Sequence, residues 1–207
     1  MTLISDFKKF ARHKAKELQK LAEADVTIDT AEVNVAGQKL QFKVNVERRA
    51  AWKLYVELNT RITTQPLKPN EGLLREALSS LHSVFAITRE ILKEAGPGVA
   101  QGRESIGFYA MEILNQVLRP VLATWHPALA HWEEQRDATV SPVEHEKAWD
   151  REKELRKALD VTRKTLIGYC DALAILAGVS PTTKGATTYG KTKSVRYLRV
   201  EVVSTPV

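Results

Sequence analysis

A chain of 207 residues with 43% hydrophobic and 27% charged residues falls in the range of one ordinary globular domain with a small appendage. No window approaches the ~18 to 20 consecutive apolar residues that a membrane-spanning helix needs, and the amino terminus reads as an amphipathic helix rather than a signal peptide. The single cysteine, Cys170, excludes an internal disulfide, and its apolar helical surroundings (Leu166, Tyr169, Leu173, Leu176) make it a buried thiol; the expectation is a soluble protein of the reducing cytoplasm.

Taken in order, residues 5 to 23 predict a first helix, with Ser5 as its cap and Phe7, Phe10, Ala11, Leu18 and Leu21 as its apolar face. The period then changes from 3.6 to 2. In AEVNVAGQKLQFKVNV a two-residue turn at Gly37 and Gln38 sets Val35 opposite Leu40, Val33 opposite Phe42 and Ala31 opposite Val44. Such a hairpin is marginal alone and needs a further strand or a helix over its apolar face. Helical periodicity returns from Glu47 to about Thr63, and QPLKPNEG breaks it. A third helix spans about Gly72 to Ala95 and stops at Gly96-Pro97-Gly98.

The most apolar long stretch is Arg103 to Arg136, where Ile113, Leu114, Val117, Leu118, Val121, Leu122, Trp125, Leu129 and Trp132 recur at helical steps. Pro120 and Pro127 each remove an amide donor and crowd the carbonyl four residues back, which predicts kinks. After the polar loop DATVSPV a helix of about 35 residues is expected from Val143 to Gly178, its charged first half directed toward solvent or a partner. The tail SVRYLRVEVV alternates like a strand.

Short connections favour antiparallel neighbours. The expected fold is therefore mainly α: an up-and-down bundle of about four long helices, with an N-terminal helix and a small antiparallel β-sheet made from the hairpin at 31–46 and a C-terminal strand at 195–203. The corresponding divisions are 1–46 packed on the bundle, the bundle at 47–179, and a basic segment at 180–207.

Gly185 to Thr192 spells the phosphate-loop pattern G-x-x-x-x-G-K-[ST], whose mechanism requires a strand before the loop and a helix after it. Here a helix and Ser180-Pro181 precede it and a strand-like run follows, so it reads as a connector and no cofactor is expected. The net charge of +6 gathers at the two ends, which permits contact of Lys8, Lys9, Lys191 and Lys193 with nucleic acid or an acidic protein; aromatic residues that would stack on bases are not interleaved with them. His126 and His131 lack the four-residue spacing of a helical zinc pair, and no metal is expected. His145, among Glu144, Glu146 and Asp150, reads as part of a solvated helix start.

One polar line accompanies the apolar stripe of 103–136: Glu112, Asn115, Arg119, His126 and Glu133. Arg119 and His126, with six residues between them, resemble the R-x(4 to 6)-H motif of HEPN helical domains, although Pro120 stands where that family commonly has a polar residue. The resemblance implies a metal-independent ribonuclease acting as a dimer, with His126 moving a proton, Arg119 stabilising phosphate charge, and Glu112 and Asn115 orienting them. RPVLATWHPALAHWE also resembles small helical proteins encoded beside bacterial defence genes. The leading expectation is a non-catalytic interaction or regulatory module of a larger intracellular assembly, joined to a protein partner or a second copy, with no membrane contact. The ribonuclease and a nucleic-acid binder acting through basic termini are the alternatives.

Overall fold

In the computed structural model, residues 2–23, 31–35, 38–42, 44–61, 64–67 and 71–181 are described. The helices are α1 (Leu3–Glu23), α2 (Val44–Asn59), α3 (Leu74–Ala95), α4 (Ile106–Glu112), α5 (Arg119–Glu134), α6 (Pro142–Lys147) and α7 (Glu152–Ala177). A 3-10 turn, Pro97–Ala100, precedes α4, and a π-helical turn, Ile113–Leu118, joins α4 to α5.

Cross-helix pairs set the directions. Lys53 pairs with Glu94 while Arg61 reaches Ser83, so α2 and α3 are antiparallel. Arg75 pairs with Glu133 while His82 meets His126, so α3 and α5 are antiparallel as well. At the start of α2, Arg48 donates to the Ala177 carbonyl at the end of α7. By contrast, α1 runs beside α7 in the same direction, with Ile4 against Gly168 and Lys8 on Asp171. That approach depends on Gly168, where a Cβ would sit 2.8 Å from Ile4 Cγ2.

The apolar stripes of these helices meet in one core. Phe7 of α1 is completely buried, with its ring 4.5 Å from Tyr109 and 4.9 Å from Tyr169. Leu54, Leu58, Leu78, Leu81, Leu118, Leu129 and Leu166 add buried aliphatic volume, each worth about 1.5–3 kcal/mol relative to exposure. Cys170 lies inside it, and burial pushes its thiol up to about 12. Among the described residues no helix is long and apolar enough to cross a membrane.

Several expectations are corrected. The β layer is not part of the fold, which is 80% helical in its interpretable part. Between α1 and α2, Ala31–Val35 and Gln38–Phe42 pair with each other and, among the described residues, with no further strand, in a two-strand ladder that places Val35 opposite Gln38. That register is two residues from the expected one. The strand at 195–203 lies outside the described residues. Rather than decorating a bundle, α1 supplies part of its core.

The long helix expected from Val143 to Gly178 is two, divided at 148–151. Ser141 and Glu144 form a reciprocal capping box that starts α6. Trp149 is then buried edge-on against Trp125, with ring centroids 6.1 Å apart, while Arg151 stacks over the Trp125 ring at 4.5 Å. The break lets Trp149 and Glu146 turn inward, while Glu144, Lys147, Asp150, Lys153 and Glu154 stay exposed.

The π turn accounts for Pro120. The Arg119 amide donates to Leu114, five residues back, and the widened turn ends as Pro120 enters the first turn of α5, where its missing amide is not needed. Pro127 sits inside α5 without ending it, and the residue four before it, Ala123, lies on the exposed face where water can take the unpaired carbonyl.

Candidate functional site

Residues seven apart recur on one side of a helix, and two antiparallel helices bring such rows together. Arg75 and His82 form a row on α3; His126 and Glu133 form the facing row on α5. Arg75 Nε donates to both Glu133 carboxylate oxygens at 3.0 Å, and Nη2 donates to Oε2 at 2.6 Å. The remaining nitrogen, Nη1, lies 3.0 Å from His126 Nδ1. Because a guanidinium only donates, Nδ1 accepts and the imidazole proton resides on Nε2.

The charged form of His126 is therefore disfavoured. Burial lowers its pKa, as do the charge of Arg75 and the neighbouring His82, whose ring stands edge-on at 5.7 Å. Nε2 is enclosed without a hydrogen-bond partner; the Leu78 carbonyl, which faces the ring without reaching hydrogen-bond geometry, pulls the pKa the other way, as does Glu133. To act as a base the ring would take its proton at Nδ1, where Arg75 already donates.

Arg119 belongs to a different group. Exposed, it donates from Nε and Nη2 to Asn115 Oδ1 at 3.2 and 3.1 Å, and its guanidinium lies 5.4 Å from the Phe85 ring centroid. Seven residues of helix place it about 10 Å along the axis from His126. The expected constellation thus divides: His126 and Glu133 join Arg75, Asn115 and Arg119 join Phe85, and half-buried Glu112 bonds to neither. Reading one helix at a time missed Arg75, His82 and Phe85, although the Arg75 to His82 spacing of two turns was a signal available on α3.

A second polar cluster ties α6 to α3 and α5 beside a pocket of about 280 Å³. His145 stacks on Trp132 at 4.5 Å and 11° and donates from Nε2 to the Trp132 carbonyl at 2.7 Å, while Trp132 Nε1 donates to the His145 carbonyl at 2.9 Å. The solvated helix start expected for His145 is corrected to this clasp. Next to it, buried Glu146 accepts from the Leu74 amide with both oxygens, at 3.0 and 2.9 Å. It caps α3, whose preceding residue, Leu73, has no side-chain acceptor. Burial raises the Glu146 pKa; the Leu74 amide and Arg156 oppose this.

On the opposite side of α3, facing α2, lies a surface of another character. Trp52 is 48% exposed and Val56 36% exposed, and with Ala86 and Ile87 they line a trough of about 520 Å³. Its margin carries Lys53, Glu57, Glu90 and Glu94. A second hollow, bounded by Val46, Arg49 and Ala95, continues it toward the start of α2 and shares Lys53, Ile91 and Glu94.

Of the basic residues expected to contact nucleic acid, Lys8 is half-buried and paired with Asp171 at 3.1 Å, and Lys9 is exposed on α1. Lys191, Lys193 and the run Gly185 to Thr192 lie outside the described residues. Among the described residues no group of three His, Cys, Asp or Glu side chains converges as a metal site would require. Comparison with known protein families, curated proteins and solved structures finds no match.

Proposed function

We propose that this chain is a non-catalytic helical interaction module, working within a larger intracellular assembly, which docks an apolar segment of a protein partner in the α2/α3 trough. The observation that carries this reading is the half-exposed Trp52 at the rim of an apolar trough that also bears Val56 and Ile87. Large aromatic side chains at the centre of apolar patches supply most of the affinity at many protein interfaces. The polar edge of α3 and α5 supports the same reading, since the group best suited to proton transfer, His126, is engaged by Arg75.

The test has two arms. Trp52→Ala and Val56→Glu are expected to remove the proteins that co-purify with the chain, Trp52→Ala weakening the complex by about 2 kcal/mol or roughly thirtyfold, with the helical content unchanged. In the other arm, purified protein and mixed RNA are incubated with a chelator beside His126→Ala. Cleavage by the parent that disappears in the variant would replace this reading with that of a metal-independent ribonuclease.

A further inference from the structure

The trough has a candidate occupant within the chain itself, and we infer that the basic carboxyl-terminal segment, residues 182–207, docks in it in cis and competes with the partner for it. This rests on the trough being a docking surface. Three observations support that choice of occupant.

The first is where the segment starts. α7 ends at Ala177, whose carbonyl accepts from Arg48, and Gly178 closes the helix in the left-handed conformation at φ 73° with the Arg48 guanidinium packed against it. Arg48 lies one turn before Trp52 on α2. The chain therefore leaves α7 beside Arg48, whose neighbours on α2, Val46 and Arg49, line the second hollow, and residues 182–207, at up to about 3.3 Å each, are long enough to span the trough from there.

Chemistry is the second. The segment carries Lys184, Lys191, Lys193, Arg196 and Arg199 against one acid, Glu201, interleaved with Val195, Tyr197, Leu198, Val200 and Val202. The trough offers an apolar floor with three carboxylates, Glu57, Glu90 and Glu94, and one lysine along its margin.

The third is that two of these carboxylates, Glu90 and Glu94, can exchange partners. Glu94 pairs with Lys53 at 2.5 Å and Glu90 with Lys93 at 2.9 Å at exposed positions, while Glu57 pairs with part-buried Arg61 at 2.9 Å. Exposed pairs contribute little individually, so an incoming lysine or arginine replaces the present partner at small cost.

A photoreactive benzophenone amino acid in place of Trp52, in the full chain, tests the inference. Irradiation followed by digestion and mass spectrometry is expected to give intramolecular cross-links to residues 182–207. Reversing Lys191, Lys193, Arg196 and Arg199 to Glu, which leaves every described helix untouched and whose fold is checked by circular dichroism, should lower their yield about tenfold. Cross-links to residues 24–43, a cross-linked dimer without an intramolecular product, unchanged yield on charge reversal, or no cross-link at all would each overturn the inference. Partner loss in Trp52→Ala with no cross-link to the tail would leave the docking surface standing while removing its internal occupant.

Discussion

The two faces of α3 treat their side chains in opposite ways. Toward α5, polar groups satisfy one another: Arg75 spends its guanidinium on Glu133 and His126, and Arg119 rests on Asn115 and Phe85. Toward α2, apolar groups are left in water, with Trp52 and Val56 beside a trough. A polar motif conspicuous in sequence is thus divided between partners on its own chain, while the exposed apolar surface consists of residues that carry no motif. Exposed apolar area has a desolvation gain still to collect; a satisfied ion pair has none.

The contrast can be sharpened by substitution. The largest stability loss is expected from Glu146→Ala, because it uncaps the helix that carries both faces and leaves the Leu74 amide buried without an acceptor; chemical denaturation should show a loss of about 2 kcal/mol. Arg75→Ala leaves Glu133 and His126 without their common donor, and since the pair is partly exposed the expected loss is about 1–2 kcal/mol. Arg119→Ala removes only an exposed hydrogen bond and a cation–π contact, about 0.5 kcal/mol. Trp52→Ala should change stability by less than about 0.5 kcal/mol while having the greatest effect on partner binding. If Arg119→Ala cost as much as Arg75→Ala, the division of the polar line into two groups would be wrong.

How much of this was legible in the sequence depends on the range of the interaction. The helices at 74–95 and 106–134 were readable because their apolar residues recur at helical steps and a Gly-Pro-Gly run stops the first. The division at 148–151 was not, since it arises from Trp149 packing on Trp125, twenty-four positions earlier, and local charge density gives no sign of it. The expected sheet fails for the reverse reason: alternation is strong locally, but among the described residues the ladder has only two strands, and two strands alone are marginal. At the site, Glu133 and His126 were found as members of a line. Their partner Arg75 was not, because it stands on another helix and periodicity reports only one helix at a time. Trp52 was missed because an exposed tryptophan and a buried one look alike in a sequence.

The protonation of His126 follows from the same geometry. Its pKa is lowered from 6.5, mainly by burial and then by Arg75. The unfolded chain therefore takes up its proton at a higher pH than the folded chain, so the contribution of His126 to stability is complete above about pH 6.5 and is lost as the pH falls toward its folded pKa. The most direct measurement is nitrogen-15 NMR of the His126 ring through that range. The account predicts a titration midpoint below 6.5, a neutral ring with Nδ1 unprotonated and Nε2 carrying the proton, and a midpoint that rises in Arg75→Ala while burial still holds it down. A His126 midpoint at or above 6.5 in the parent protein, or a neutral ring with its proton on Nδ1, would contradict the claim that this polar edge is structure rather than chemistry.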